Sequence, residues 1–472
     1  MNYMSTRGQS PARGFRSTVL AGLAEDGGLF IPEHLPRVEH RLSAWAALPY
    51  TELCKEILSL FTGDEIPPHV LRELVDKSYL KFTDPAILPV RRVGPVYVAE
   101  QFYGPTLAFK DLALQFLGNL FEYLLKETGG HLTVLGATSG DTGSAAIHAL
   151  RGKERIEVFI LHPNGRVTPV QERQMTTVTD PNVHNLALEG SFDDAQAIVK
   201  TLFSRPAFRE EAQLGAVNSI NWVRVMVQTV YFFHGYFRML AMHPGMKMGD
   251  PAWFSVPTGN FGHILAGHMA RAMGLPVGRL LLAVNANNNL HSFLTQGEYR
   301  KLSTVHTISP SMDIQVASNF ERYLFELAGR DSALLRRWLE DFDRTGRLTL
   351  PPEALDKMRG EFSSSSVEDE AILETIREVH RDHGYLLDPH TAVGFRAALD
   401  HLSQTGEAPV MCMATAHPAK FGEAIQRAVG FPPPVPPAIA QLDHLPARKH
   451  VMPANADAVE AFMRQTLAGK TP

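Results

Sequence analysis

The segment Thr258-Gly-Asn-Phe-Gly262 lies directly after the apolar run Trp253-Phe-Ser-Val256 and directly before a helical stretch at residues 264–273. Two glycines in a turn between a strand and a helix allow backbone N–H groups to approach an anion, and the helix N-terminus adds about half a positive charge. The segment therefore predicts a loop that binds a phosphate group. Taken alone, it is explained equally well by an ordinary strand-to-helix turn in which glycine permits close packing.

The same order, a short apolar run followed by a longer stretch of helical period, recurs on both sides of this loop. The predicted strands span residues 131–136, 155–161, 183–188, 253–256, 279–284 and 410–414. Such alternation is typical of α/β proteins with largely parallel sheets, so we expect two α/β domains, at residues 96–235 and 236–465. We expect a ligand-binding cleft between them. Apolar residues at three- and four-residue spacing in residues 50–61 predict a mainly helical N-terminal subdomain over residues 1–95.

The amino-acid composition disfavours several classes of protein. The chain has 472 residues, of which 44% are hydrophobic and 20% charged, so it can bury sizeable cores. The net charge of −5 disfavours nucleic acid as a partner. Two cysteines are too few for a disulfide framework or a cysteine-based zinc site. Because no apolar run approaches the roughly 18 residues of a membrane span and the N-terminus does not resemble a signal peptide, we expect a cytoplasmic protein without a membrane partner.

A second loop between a predicted strand and a helix is Thr138-Ser-Gly-Asp-Thr-Gly143. Its hydroxyl groups and glycine amides suit a carboxylate or a phosphate, because they can all point at one anion. Ser139 is a poor candidate for a hydrolase nucleophile, since Gly136-Ala-Thr-Ser139-Gly140 lacks the G-x-S-x-G spacing. The loop therefore predicts a second anion-binding site.

The segment Gly104-Pro-Thr-Leu-Ala-Phe-Lys-Asp111 opens a helix at residues 112–125 that is apolar on most of its circumference and is expected to be buried. Lys110 then lies at the first turn, where burial and the helix dipole both disfavour its charged form. A lysine of this kind is suited to forming a Schiff base. The pattern alone favours a lysine that reaches solvent or pairs with Asp111. It is not a Walker phosphate loop, because Phe109 replaces the second glycine.

The twenty histidines suggest a metal site, particularly His380, His383 and His390. Their spacing matches no zinc-binding pattern, so we expect surface or hydrogen-bonded histidines and no metal.

Further distinctive segments occur in a fixed order, among them Asp388-Pro-His-Thr-Ala-Val-Gly394 and Ala414-Thr-Ala-His-Pro-Ala-Lys-Phe421. The full set spans residues 3–8, 22–30, 104–115, 138–143, 190–196, 218–222, 257–262, 308–314, 318–322, 388–394 and 414–421. With these segments the chain resembles the threonine synthases of the long bacterial and fungal branch, which are pyridoxal-phosphate enzymes of fold type II, the tryptophan synthase β-like group.

The resemblance implies that pyridoxal 5′-phosphate is the cofactor and that Lys110 carries it covalently. It assigns the cofactor phosphate to a loop of four residues, Gly259, Asn260, Phe261 and Gly262. It places the Thr415 hydroxyl against the pyridine nitrogen, which would leave that nitrogen largely unprotonated. Asp141 stands where many fold-type II enzymes have an asparagine facing the 3′ oxygen of the cofactor.

The resemblance also implies the residues that bind the substrate. The substrate carboxylate is assigned to the second loop, through Thr138, Ser139, Gly140 and Thr142. For the substrate phosphate the candidates are Arg166 and Ser191, and the guanidinium of an arginine suits a phosphate through its fork of donors.

The implied reaction converts O-phospho-L-homoserine and water to L-threonine and phosphate, catalysed by a monomer or a homodimer. Two alternatives stay open. A phospholyase or deaminase of the same fold would release 2-oxobutyrate. A nucleotide-binding α/β protein would use the two glycine-containing loops for a different phosphate.

Overall fold

The computed structural model describes residues 1–138, 140–406 and 409–469. Its helices are α1 (Phe15–Ala21), α2 (Leu42–Trp45), α3 (Tyr50–Thr62), α4 (Pro68–Tyr79), α5 (Lys110–Thr128), α6 (Asp141–Leu150), α7 (Pro169–Thr176), α8 (Phe192–Phe203), α9 (Pro206–Glu211), α10 (Trp222–Met242), α11 (Gly262–Ala272), α12 (Asn289–Gln296), α13 (Phe320–Leu327), α14 (Ser332–Thr345), α15 (Pro352–Glu361), α16 (Asp369–His383), α17 (Pro389–Thr405), α18 (Gly422–Val429), α19 (Pro437–Ala440) and α20 (Ala456–Ala468). Short 3-10 helices lie at Glu39–Arg41, Gly63–Glu65, Pro310–Met312, Pro418–Phe421 and Gln441–His444.

The strands follow the order predicted from the sequence, with additional short ones. They are β1 (Tyr3–Ser5), β2 (Phe30–Pro32), β3 (Val90–Val93), β4 (Val96–Glu100), β5 (Leu132–Ala137), β6 (Ile156–Pro163), β7 (Val183–Glu189), β8 (Leu214–Gly215), β9 (Ala252–Pro257), β10 (Val277–Val284), β11 (Tyr299–Arg300), β12 (Arg347–Leu348), β13 (Phe362–Ser366), β14 (Val410–Ala414) and β15 (His450–Pro453). The pairs β1–β2 and β11–β12 form two small antiparallel sheets.

Contacts divide the chain into two compact units. Unit 1 comprises Met1–Ala113 and Ser219–Pro433, and unit 2 comprises Leu114–Asn218 and Pro434–Pro472. Each unit combines two segments that are distant in sequence. The predicted domains, with boundaries at residues 95 and 235, are continuous segments, and these boundaries stay a prediction. The first 95 residues contain α1 to α4 and are mainly helical, as expected.

Unit 1 is built around a six-stranded sheet with the order β13-β10-β9-β14-β4-β3. All neighbours are parallel except β3 and β4. On β9, Phe254 contacts the Phe232 ring of α10, with ring centroids 5.2 Å apart, whereas the hydroxyl of the next residue, Ser255, donates to the carbonyl of Gly394 in α17. Because successive strand residues point to opposite faces, α10 and α17 cover opposite faces of the sheet. This explains the continuous apolar runs of the central strands.

Unit 2 is built around a five-stranded, fully parallel sheet with the order β15-β7-β6-β5-β8. On β6, Phe159 and Leu161 belong to a buried cluster that includes residues of α8 and α20. Ile160, which lies between them, faces Gly143 of α6 on the other side of the sheet. The structure thus confirms the predicted α/β fold with largely parallel sheets.

Within the described ranges, no helix combines the length and the apolar character that crossing a membrane would require.

Candidate active site

In unit 1, several loops follow the carboxyl ends of neighbouring parallel strands, the edge of an α/β sheet at which ligands usually bind. The loop after β9 contains Thr258 and leads into α11 at Gly262. Phe261 precedes the helix in a left-handed conformation, with φ of 62°. Among the described residues no side chain caps the start of α11, so the N–H groups of its first turn are available to an anion.

Gly259 and Asn260 give this loop its shape. A Cβ atom on Gly259 would lie 3.0 Å from the Cδ1 atom of Ile314 and 3.2 Å from the carbonyl oxygen of Ser311. The carbonyl of Asn260 accepts a hydrogen bond from the backbone N–H of Asn319 at 3.1 Å. Gly259 is therefore packed closely against the segment 311–314, and the backbone N–H groups of the loop and of the start of α11 suit a phosphate group.

A buried arginine stabilises this loop through Asn319. Arg322 is fully buried and donates hydrogen bonds to the Oδ1 atom of Asn319 at 2.6 Å, to the carbonyl of Phe30 at 2.9 Å and to the carbonyl of Ile220 at 2.6 Å. Burial lowers the pKa of Arg322 to about 9. Because Asn319 also binds the backbone of Asn260, Arg322 fixes the loop through one intermediate residue.

Lys110 lies in the first turn of α5, as predicted, although the helix begins at Lys110 itself, two residues before the predicted start, and its side chain is half-buried. The N–H of the preceding residue, Phe109, donates to the carbonyl of Thr415 at 2.8 Å. The ring of Phe109 stacks on His263 of α11, with centroids 5.1 Å apart and 13° between the ring planes. Backbone and ring contacts therefore bring the Lys110 segment together with Thr415 and with the helix that follows the phosphate loop.

A buried carboxylate shapes the turn that carries Lys110. Asp111 accepts hydrogen bonds from the N–H of Thr106 at 2.8 Å and from its hydroxyl at 2.7 Å. The ammonium of Lys420, which is also buried, donates to the carbonyl of Thr106 at 2.6 Å. Burial raises the pKa of Asp111 to about 6, against the lowering effect of these hydrogen bonds and of the Lys420 charge.

The second predicted loop lies in unit 2, between β5 and α6. The Thr138 hydroxyl accepts hydrogen bonds from the N–H groups of Gly140 at 3.0 Å and Gly143 at 2.9 Å, so it orders the loop. Asp141 begins α6, is buried, and accepts a hydrogen bond from the side chain of Gln171 at 2.8 Å. Thr142 is partly exposed in the first turn of the helix. Ser139 lies outside the described residues.

The two candidates for the substrate phosphate follow the neighbouring strands β6 and β7. Arg166 is exposed in the turn after β6. Ser191 is the N-cap of α8 and forms a capping box with Asp194, whose carboxylate accepts from the N–H and the hydroxyl of Ser191, both at 2.7 Å. Since the hydroxyl of Ser191 already caps a helix, the exposed guanidinium of Arg166 is the stronger candidate.

Sequence reasoning missed the residues that act behind these loops. Gln171 occupies the fourth position of Thr168-Pro-Val-Gln171, a pattern that marks a helix start but not a contact with Asp141. Arg322 lies in the quoted segment 318–322, but nothing local to that segment indicates that its guanidinium is buried. Both contacts depend on the tertiary fold.

The comparison with known families first defines the class of protein. Residues 86–335 match the family described as pyridoxal-phosphate dependent enzyme, a stretch that contains Lys110 and the loop after β9. With its two largely parallel sheets the chain is a pyridoxal-phosphate-dependent enzyme of fold type II. Residues 2–79 match the threonine synthase N terminus, and residues 391–463 match the threonine synthase C-terminal family. The chain belongs to the threonine synthase family.

Individual relatives agree with this assignment. The chain is 45% identical to the threonine synthase of Pseudomonas aeruginosa over 98% of each chain. It is 38% identical to threonine synthase-like 2 of Xenopus laevis over 99% of this chain and 98% of that one. The crystal structure of pyridoxal-phosphate-bound threonine synthase from Brucella melitensis is similar, with a TM-score of 0.94, 42% identity and 99% of both chains covered. The predicted family, fold class and cofactor are thus confirmed.

Proposed function

We propose that the protein converts O-phospho-L-homoserine and water to L-threonine and phosphate, by elimination of phosphate from Cγ and addition of water at Cβ. The observation that carries the proposal is the 45% identity to a threonine synthase over 98% of each chain. The reaction needs a cofactor site with a lysine whose amine can move protons. In unit 1, Lys110, Thr415 and the loop after β9 offer such groups at the carboxyl edge of one sheet.

Pyridoxal phosphate, when bound, supplies the electron sink that stabilises a carbanion at the substrate's Cα. Lys110 would hold the cofactor, and the phosphate would bind to the backbone amides of Gly259, Asn260, Phe261 and Gly262. The Thr415 hydroxyl would hydrogen-bond to the pyridine nitrogen, and Asp141, oriented by Gln171, would contact the 3′ oxygen.

Lys110 has the central role in proton transfer. Its amine would take a proton from the substrate's Cα and would then move protons at Cβ, so that one group serves as base and acid. Its place at the first residue of α5 suits this role, because the backbone of the preceding residue, Phe109, is hydrogen-bonded to Thr415 and so fixes the position from which the lysine side chain extends.

The loops of unit 2 would bind the substrate's charged groups. The candidates for the substrate carboxylate are Thr138, Ser139, Gly140 and Thr142, because this loop leads into the N-terminus of α6, which favours an anion. The Thr138 oxygen accepts the N–H groups of Gly140 and Gly143 and so holds the start of α6 in place. Arg166 suits the substrate phosphate through its paired donors, with Ser191 as the second candidate.

The test is to incubate the protein and pyridoxal phosphate with O-phospho-L-homoserine, to assay phosphate and to identify the carbon product. We expect L-threonine and phosphate in equal amounts. Lys110→Ala should abolish both products, because the proton-transfer group is lost. Lys81→Ala, which removes an exposed lysine in the turn after α4, is the matched control and should retain full activity.

Two other results would contradict the proposal. Phosphate with 2-oxobutyrate would show that the enzyme is a deaminating phospholyase, and identification of the carbon product is needed because one relative carries the name threonine synthase-like 2. No phosphate release at all would show that O-phospho-L-homoserine is not the substrate.

A further inference from the structure

Three residues at the start of α17 connect the Thr415 side and the phosphate-loop side of the candidate cofactor site of unit 1. Asp388 is the N-cap of this helix and accepts hydrogen bonds from the backbone N–H groups of His390 at 3.0 Å and Thr391 at 3.2 Å. Asp388, His390 and Thr391 are each at most 2% exposed. We call these three residues the α17 cluster.

One arm of the α17 cluster reaches Thr415. The Thr391 hydroxyl donates a hydrogen bond to the carboxylate of Asp388, and its oxygen accepts the backbone N–H of Thr415 at 3.1 Å. A hydroxyl that donates to a carboxylate is a stronger acceptor, because hydrogen bonds in a chain polarise one another. The negative charge of Asp388 therefore fixes the backbone of Thr415 through one hydroxyl group.

The other arm reaches the segment 311–314, which packs against Gly259. The Nδ1 atom of His390 lies 2.9 Å from the Oδ1 atom of Asp388, and its Nε2 atom accepts the backbone N–H of Ser311 at 3.1 Å. Since a backbone N–H can only donate, His390 is the neutral tautomer with its proton on Nδ1. The carbonyl of Ser311 in turn lies 3.2 Å from the position of a Cβ atom on Gly259. The same carboxylate thus supports the segment that covers the phosphate loop.

We infer that Asp388, His390 and Thr391 are positioning residues that hold Thr415 at the pyridine nitrogen and the Ser311 segment against the phosphate loop. This inference rests on the proposed function, because it assumes that pyridoxal phosphate occupies these two places. The Asp388 carboxylate accepts hydrogen bonds from His390 and Thr391. It therefore acts on the pyridine nitrogen only indirectly, by fixing Thr415, and the group that contacts the nitrogen is the neutral hydroxyl of Thr415.

The test removes the Thr391 hydroxyl, which connects Thr415 to Asp388, and records an NMR signal of the bound cofactor. Thr391→Val keeps the shape of the side chain and removes the hydroxyl, whereas Thr391→Ser restores it. Each variant is loaded with ¹⁵N-labelled pyridoxal phosphate, and the ¹⁵N resonance of the pyridine nitrogen is recorded. We expect the resonance to move in Thr391→Val and kcat to fall about tenfold with KM nearly unchanged, the size of one lost hydrogen bond. Thr391→Ser should match the wild type.

Two variants of His390 test its contact with Asp388 and its contact with Ser311 separately. His390→Asn keeps a donor near the Nδ1 position, so it should preserve the ¹⁵N resonance but shift the ³¹P resonance of the cofactor phosphate, because the Ser311 contact is lost. His390→Gln keeps an acceptor near the Nε2 position and should show the reverse pattern. Thr375→Val removes a buried hydroxyl that donates within α16 and should change neither signal.

A wild-type ¹⁵N resonance and kcat in cofactor-loaded Thr391→Val would overturn the inference while the proposed function stands. If Thr391→Val does not fold, identical ¹⁵N and ³¹P resonances in the two His390 variants would overturn it. A wild-type protein that binds no pyridoxal phosphate would refute the proposed function and the inference with it.

Discussion

The buried carboxylate of Asp111 predicts that stability falls as the pH rises. Burial raises the pKa of Asp111 to about 6 in the folded protein from an ordinary value of 3.8. Between these two values the folded state binds more protons than the unfolded state, so the free energy of unfolding decreases with rising pH. A difference of about two between the two pKa values corresponds to about 3 kcal/mol, lost between about pH 4 and pH 6.

The perturbation that isolates this effect is Asp111→Asn. An asparagine can accept the N–H of Thr106 and donate to its hydroxyl, so it keeps both hydrogen bonds of the aspartate while removing the charge. Other titrating groups contribute equally to both proteins. The difference in unfolding free energy between variant and wild type should therefore grow in favour of the variant by about 3 kcal/mol from pH 4 to pH 7.5.

The assay is urea unfolding of both proteins, saturated with cofactor, at intervals across this range. Asp64→Asn, which changes an exposed aspartate, is the control and should show a constant difference from the wild type. A difference for Asp111→Asn that is constant with pH would refute the reasoning. A wild type that gains stability relative to the variant as the pH rises would show that the Lys420 charge outweighs the cost of burial.

Three further predictions concern the supports of the two loops. Gly259→Ala should weaken cofactor binding by about tenfold in a fluorescence titration, because its Cβ would lie 3.2 Å from the carbonyl oxygen of Ser311 and 3.3 Å from the Cα of Met312, which are backbone atoms. Gly360→Ala should leave binding unchanged, because its Cβ would meet no atom of the described residues within 4 Å outside the backbone of its own helix. Arg322→Lys should weaken cofactor binding by about tenfold, since a single ammonium cannot replace the three hydrogen bonds of the guanidinium; equal affinity would exclude its support of the loop. Gln171→Leu should lower kcat by about tenfold, because the buried Asp141 loses a hydrogen bond, and an unchanged kcat would show that this contact has no part in catalysis.

Much of the fold follows from local sequence patterns. Strands such as β5 and β14 are short, continuous apolar runs because they are buried on both faces, and the structure reproduces them within one residue of the predicted ends. The strand β13 could not be predicted, because Phe362-Ser-Ser-Ser-Ser366 reads as a loop. It forms at the edge of the sheet by parallel pairing with β10, so its structure depends on a partner distant in sequence.

The same distinction holds for the candidate site. The Lys110 turn and the loop at residues 258–262 could be proposed from sequence because each motif is a continuous segment with a recognisable chemistry. The α17 cluster could not, since its contacts join residues 388–391 to Ser311 and Thr415. Asp388-Pro-His-Thr391 identifies a helix start from its N-cap and its proline at N1, but not the groups that lie beside that start.

In the proposed reaction, the hydroxyl oxygen of the product comes from water and the bond between Cγ and oxygen of the substrate is broken. The most direct measurement is to run the reaction with O-phospho-L-homoserine in H₂¹⁸O and to determine the masses of both products. The proposed function predicts L-threonine with one ¹⁸O atom and phosphate without label, because phosphate leaves Cγ with the oxygen of the substrate. Labelled phosphate with homoserine would show hydrolysis at phosphorus and would contradict the account.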